Sequence, residues 1–131
     1  MISLNEPYLN GKEKIFVKDT LKKNWISNFG EYNKRFEKSL SKFTKSKNVI
    51  AVSSGTAALH LALRAMGVVQ HSEVIVPSLT FVASVNVIKY LNAHPVFMDV
   101  REDHNLDIKN TGIRNFSRHL QLFFYATVSP F

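Results

Sequence analysis

The residues best placed to do chemistry are Ser53-Ser54-Gly55-Thr56, which lie between a short apolar run, Val49-Ile50-Ala51-Val52, and an alanine- and leucine-rich stretch, Ala57-Ala58-Leu59-His60-Leu61-Ala62-Leu63. The apolar run reads as a buried strand and the stretch after the turn as a helix. A strand that feeds a Ser/Gly/Thr turn into a helix N-terminus makes an anion site. The first-turn N–H groups have no partner within the helix, and the helix dipole favours negative charge there. Ser54 and Thr56 add hydroxyl donors. Gly55 lets the backbone approach a phosphate closely and accommodates a positive φ if the turn requires one. The alternative is an ordinary capped helix, because Ser and Thr are preferred N-caps in any case.

The elements that must position this turn alternate along the chain. Residues 11–23 carry Ile15, Val17 and Leu21 among lysines and read as a helix; Trp25 to Gly30 reads as a loop. Tyr32, Phe36, Leu40 and Phe43 recur at helical spacing over residues 31–45. A first strand is expected at 48–52, a helix at 55–66 capped by Gly67, a second strand at Glu73-Val74-Ile75-Val76 stopped by Pro77, a helix at 80–91 and a third strand at Pro95-Val96-Phe97-Met98. Strands alternating with helices imply an α/β layer with a mainly parallel sheet. In such sheets ligands bind beyond the carboxyl ends of the strands, where both Ser53–Thr56 and the second loop, Pro77-Ser78-Leu79-Thr80-Phe81, are expected. An anion site beside an exposed aromatic suits a flat, phosphorylated cofactor, although a single phenylalanine such as Phe81 more often belongs to a core.

Composition narrows the classes. The chain has 131 residues, about one domain, and its 45% hydrophobic content is enough for a core. It has no cysteine, hence no disulfide and no thiolate site. Residues 1–10 lack a signal-peptide pattern, and no apolar run approaches the roughly 20 residues of a membrane span. The expected setting is cytoplasmic, with no membrane partner. A net charge of +7 raises the question of nucleic acid. However, Lys12, Lys14, Lys18, Lys22 and Lys23 sit among Glu13 and Asp19, and Lys34, Arg35, Lys38, Lys42, Lys45 and Lys47 decorate the following stretch. Such lysines form solvated helix faces, and no nucleic-acid motif accompanies them, so no nucleic-acid partner is expected.

A co-linear series of motifs carries a more specific signal: Trp25-Ile26-Ser27, Phe36-Glu37, Ser53 through Leu63, Gly67-Val68, Glu73 through Ser84, and Pro95-Val96-Phe97-Met98-Asp99-Val100. From about Ile2 to Asp107 the chain resembles the DegT/DnrJ/StrS group of sugar aminotransferases, which use pyridoxal phosphate (PLP). The resemblance implies the N-terminal portion of an aspartate-aminotransferase-like large domain and a homodimer. It also implies amino transfer from glutamate to a keto-sugar linked to a nucleotide. By the same resemblance Gly55 and Thr56 hold the cofactor phosphate, Phe81 stacks on the pyridine ring, and Trp25 and Ser27 lie in the loop lining the substrate side.

The chain departs from that family in three respects. His71-Ser72 replaces the family's Gly-Asp turn, and His71 reads as an exposed turn residue rather than a ligand. The family's cofactor-bearing lysine and the acid paired with its pyridine nitrogen lie downstream of anything matched here. Lys89 and Lys109 do not sit in that lysine's motif, so no catalytic residue is assigned. Finally, all ten acidic residues lie at or before Asp107, and the tail ends in Leu122-Phe123-Phe124-Tyr125-Ala126. The expected division is therefore residues 1–107 as the aminotransferase portion and 108–131 as an atypical tail, from a frameshift or truncation, with a genuine C-terminal strand as the alternative. An N-terminal fragment inactive by itself is the expectation. The competing reading is a small basic α/β binding module for a phosphorylated ligand or nucleic acid.

Overall fold

A computed structural model describes residues 6–107 and 120–122. The chain divides into two compact units, Met1–Ala51 and Val52–Phe131. The first contains two helices, α1 (Lys12–Lys22) and α2 (Glu31–Thr44). The second contains α3 (Gly55–Ala65), β1 (Glu73–Pro77), α4 (Ala83–Tyr90), β2 (His94–Met98) and β3 (Leu120–Leu122).

The second unit is an α/β layer. β1 lies between β2 and β3 and is parallel to both, with Val74 opposite Pro95 and Gln121. A central parallel strand is covered on both faces, which accounts for the unbroken apolar run Val74-Ile75-Val76-Pro77, all buried. Val74 and Val76 point to one side, where they join Leu63, Val68, Val87, Ile88, Leu91 and Ala93 in the core, with Leu59 and Val85 packed against it. α4 lies against β1 and β2, and α3 packs on α4, with Leu63 joining the same core. α3 ends as its sequence indicates. Gly67, at φ 85°, donates its N–H to the Arg64 carbonyl, and Val68 donates to that of Leu63. α4 closes in the same manner through Asn92, at φ 54°, with the Ala93 N–H reaching the Ile88 carbonyl.

Three expectations need correction. Residues 48–52 are not a strand and not buried: Ile50 is 76% exposed. A strand exists through its ladder, and here the Ala51 N–H instead donates to Glu37 Oε1 at 2.9 Å, a side chain of α2. Helix α4 begins at Ala83 rather than at residue 80, so Phe81 and Val82 precede it. Phe81 is therefore not a core residue; it is 72% exposed. In the tail, Leu120–Leu122 form β3, while the rest of the aromatic run lies outside the described residues.

Candidate functional site

Ser53–Thr56 sit where the chain enters α3. Ser54 has extended backbone angles, and its hydroxyl oxygen accepts from the Ala57 N–H at 3.2 Å, so this residue is the N-cap. Its carbonyl accepts from the Ala58 N–H at 3.0 Å. The capped-helix and anion-site readings are thus both present in one turn, on different atoms. The cap satisfies the third N–H of the helix, while those of Gly55 and Thr56 meet no acceptor among the described residues. Gly55 does not occupy the left-handed region, contrary to the possibility raised by its type. A Cβ placed there would meet no atom within 4 Å. The glycine therefore leaves its side-chain position open beside two N–H groups that have no acceptor among the described residues, at the positive end of a helix dipole.

Phe81 lies in the same unit, just before α4, at the end of the loop that leaves β1. The loop is anchored by the Ser78 N–H, which donates to the Met98 carbonyl at 2.8 Å, and by a 3.2 Å contact between the hydroxyls of Thr80 and Ser84. Its ring is exposed and so has a face to offer to a flat ligand. Two other features of this unit received no role from the sequence. His60 Nε2 is buried without a partner among the described residues, its ring edge-on to Tyr90 with centroids 6.1 Å apart. His71, exposed in its turn, stacks on His94 with centroids 5.9 Å apart. Among the described residues no group of three or more potential ligands could hold a metal ion.

Trp25 and Ser27 belong to the first unit, in the loop between α1 and α2. Asn24, at φ 53°, turns the chain out of α1, and the Trp25 N–H donates back to the Thr20 carbonyl. Ser27 organises the second half of the loop: its Oγ accepts from the Phe29 N–H at 3.3 Å and its carbonyl from the Gly30 N–H at 3.1 Å. Asn33 Nδ2 donates to the Asn28 carbonyl at 2.8 Å. Gly30 is needed for close approach. A Cβ there would sit 3.2 Å from the Ser27 carbonyl oxygen and 3.3 Å from Trp25 Cδ1. The loop borders a cleft of about 660 Å³, lined by Trp25, Ser27, Asn28 and Phe29 among others.

Below the loop lies a polar bracket that the sequence did not reveal. Lys23 Nζ is 2.9 Å from Asp19 Oδ2 and 3.3 Å from Glu31 Oε2, and the Tyr32 hydroxyl donates to Asp19 Oδ2 at 2.8 Å. These hydrogen bonds, first from Lys23 and then from Tyr32, hold the Asp19 carboxyl below its ordinary value. The same bond to Asp19, followed by that to Glu31, raises Lys23, and Asp19 also raises Tyr32. Only the local pair Asp19 and Lys23, four apart at the C-terminal end of α1, could be foreseen from spacing.

Comparison with known proteins bears on the family of the chain. The sequence pattern of the DegT/DnrJ/EryC1/StrS aminotransferase family matches residues 7–113. The chain is 46% identical over 100 residues to GDP-perosamine synthase of Vibrio cholerae, and 47% identical over 98 residues to that of Escherichia coli O157:H7. These alignments take in 76% and 75% of this chain and 27% of each relative. The structure superposes, with a TM-score of 0.76 and 36% identity, on the Spr1654 sugar aminotransferase of Streptococcus pneumoniae in its PLP form, covering 81% of this chain and 27% of that one. The chain thus spans about a quarter of the length of the relatives it matches. With the family pattern running through both units, from the Trp25 loop to the turn of α3 and the loop of Phe81, the chain belongs to the DegT/DnrJ/EryC1/StrS aminotransferase family.

Proposed function

We propose that this chain supplies the N-terminal portion of a cytoplasmic, homodimeric sugar aminotransferase that moves an amino group from glutamate to a keto-sugar carried on a nucleotide. The observation that carries the reading is the turn at α3. The N–H groups of Gly55 and Thr56 have no acceptor among the described residues, and the Cβ position of Gly55 is open. That arrangement fits the phosphate end of PLP, and the exposed ring of Phe81 fits one face of its pyridine. When bound, PLP supplies the electron sink that amino transfer needs.

The chain's own residues have distinct tasks in this scheme. Gly55 and Thr56 bind the phosphate through backbone N–H groups, with the Thr56 hydroxyl as a further donor and Ser54 holding the helix start rigid. Phe81 covers a ring face and excludes water from it. Trp25 and Ser27 line the substrate side. Because Ser27 Oγ accepts from the Phe29 N–H, its own proton is available to a sugar oxygen. The lysine that carries the cofactor and the acid that pairs with its ring nitrogen are assigned to segments outside this chain's match to the family.

A chimera tests the proposal. Residues 6–107 of this chain replace the matching segment of the E. coli relative, which keeps its downstream portion. The expected result is a soluble protein that retains PLP and still forms GDP-perosamine. A folded chimera that fails to retain PLP, or retains it without amino transfer, overturns the reading.

A further inference from the structure

We infer that Lys23 is a positioning residue for the substrate loop: its ammonium ties the end of α1 to the start of α2 and so fixes the ends of the segment that carries Trp25 and Ser27. The inference rests on the reading of that loop as the substrate side, yet its test reads the loop alone. Failure here leaves the assignment of Trp25 and Ser27 intact, and failure of the chimera leaves this bracket intact.

The geometry singles out Lys23. Neither α1 nor α2 contains a buried residue, so no core fixes how the loop leaves one helix and enters the other. The links across its base are instead the Lys23–Glu31 ion pair at 3.3 Å, the Tyr32–Asp19 hydrogen bond, and the contact of the Phe16 and Tyr32 rings at 5.2 Å, with Lys23 anchored on its own side by Asp19 at 2.9 Å. Lys23 is the cation that meets both a carboxylate of α1 and one of α2; Arg35 reaches only Glu31, at 3.7 Å within α2. Inside the bracket the loop is bonded mainly to itself, through Ser27, Phe29, Gly30 and Asn28. The Trp25 ring lies over Gly30, where a methyl group would have to displace it. Movement of the loop's ends therefore carries Trp25 and Ser27 together.

Trp25 is the chain's single tryptophan, so its fluorescence reports this loop and nothing else. The experiment measures acrylamide quenching of Trp25 in the full chain, with helix content followed by far-ultraviolet circular dichroism. Lys23→Met keeps the stem and removes the ammonium; quenching is expected to rise about 1.5-fold, in keeping with the loss of exposed ion pairs at a locally opening segment. Lys23→Arg, whose fork can span two carboxylates, should restore the wild-type value. Lys22→Met, an equal charge change next door, should leave it unchanged. Glu31→Gln removes one arm of the bracket with little risk to folding and should fall between wild type and Lys23→Met. Unchanged quenching in both Lys23→Met and Glu31→Gln overturns the inference. So does a Lys23→Arg variant that behaves as Lys23→Met, or a Lys22→Met variant that matches it. If Lys23→Met loses helix content, Glu31→Gln decides.

Discussion

The two units hold their site residues by different physical means. Around Gly55 and Phe81 the scaffold is a core: Leu63, Val74, Val87 and Ile88 are each no more than 1% exposed, with α4 on the sheet and α3 packed on α4. Around Trp25 and Ser27 no helical residue is buried, and Phe36 and Phe43 of α2 are exposed at 55% and 86%. There the geometry comes from ion pairs, hydrogen bonds and one glycine clearance. A phosphate needs donors held still, and a packed scaffold provides that. A loop held by polar links can be reset by a few substitutions without disturbing the fold.

Leu63→Ala should have the largest effect, about 2–5 kcal/mol of destabilisation in the second unit, since it opens a cavity in a packed core. Denaturant titration checks this. Phe43→Ala, an equally drastic truncation on the exposed face of α2, should stay within about 0.5 kcal/mol. If the two cost the same, the contrast between the units fails.

The turn at Ser53–Thr56, proposed to hold the cofactor phosphate, offers a finer test, made in the chimera by PLP titration. Gly55→Val should lower cofactor affinity most. Because Gly55 is not in the left-handed region and has open space before it, valine fits the backbone there and the loss reports ligand exclusion alone. Thr56→Val removes one hydroxyl and should cost about 1–3 kcal/mol if that hydroxyl donates to a charged phosphate. Ser54→Ala should act on folding, by about 1 kcal/mol through loss of the cap. Equal affinities for wild type, Gly55→Val and Thr56→Val would reduce the turn to a helix cap.

The smallest effect belongs to the bracket of the first unit. Asp19 has a lowered pKa, so its contribution is present above the ordinary value of 3.8 and is lost as pH falls through the lower folded value. Lys23 is raised, so its contribution is present below 10.5 and is lost as pH rises through the higher folded value. Trp25 quenching should therefore be flat across neutral pH and rise at both extremes, and added salt should raise it in between. A transition near pH 6 would point to a histidine and against this bracket.

Much of the fold was legible in the sequence because it is local. Amphipathic spacing located α1 and α2 to within a residue or two, the alanine- and leucine-rich stretch after the Ser/Gly/Thr turn located α3, and an apolar run ended by Pro77 located β1. Gly67 marked the end of α3. The errors arose where a neighbour decides. Val49–Val52 has the composition of a strand but no ladder, because the Ala51 N–H goes to Glu37. Phe81 looked like the first turn of an apolar helix face, but α4 begins two residues later and leaves the ring in solvent. At the site, Ser54 and Gly55 could be read from type and order. The division of labour between them, cap and open space, needed coordinates. Of the bracket of Lys23 only the Asp19 arm follows from spacing, since Glu31 lies eight residues away across a loop.

The unladdered segment also governs how the chain should break down. It spans the division between Ala51 and Val52 and follows two exposed lysines, Lys45, in a left-handed conformation, and Lys47. A protease must draw about a dozen residues into extended form, which is easiest where no strand partner or core holds the backbone. Brief trypsin treatment should nick the chain after Lys45 or Lys47 before Arg64, next to the buried Leu63, and leave a fragment that begins just ahead of Ser53.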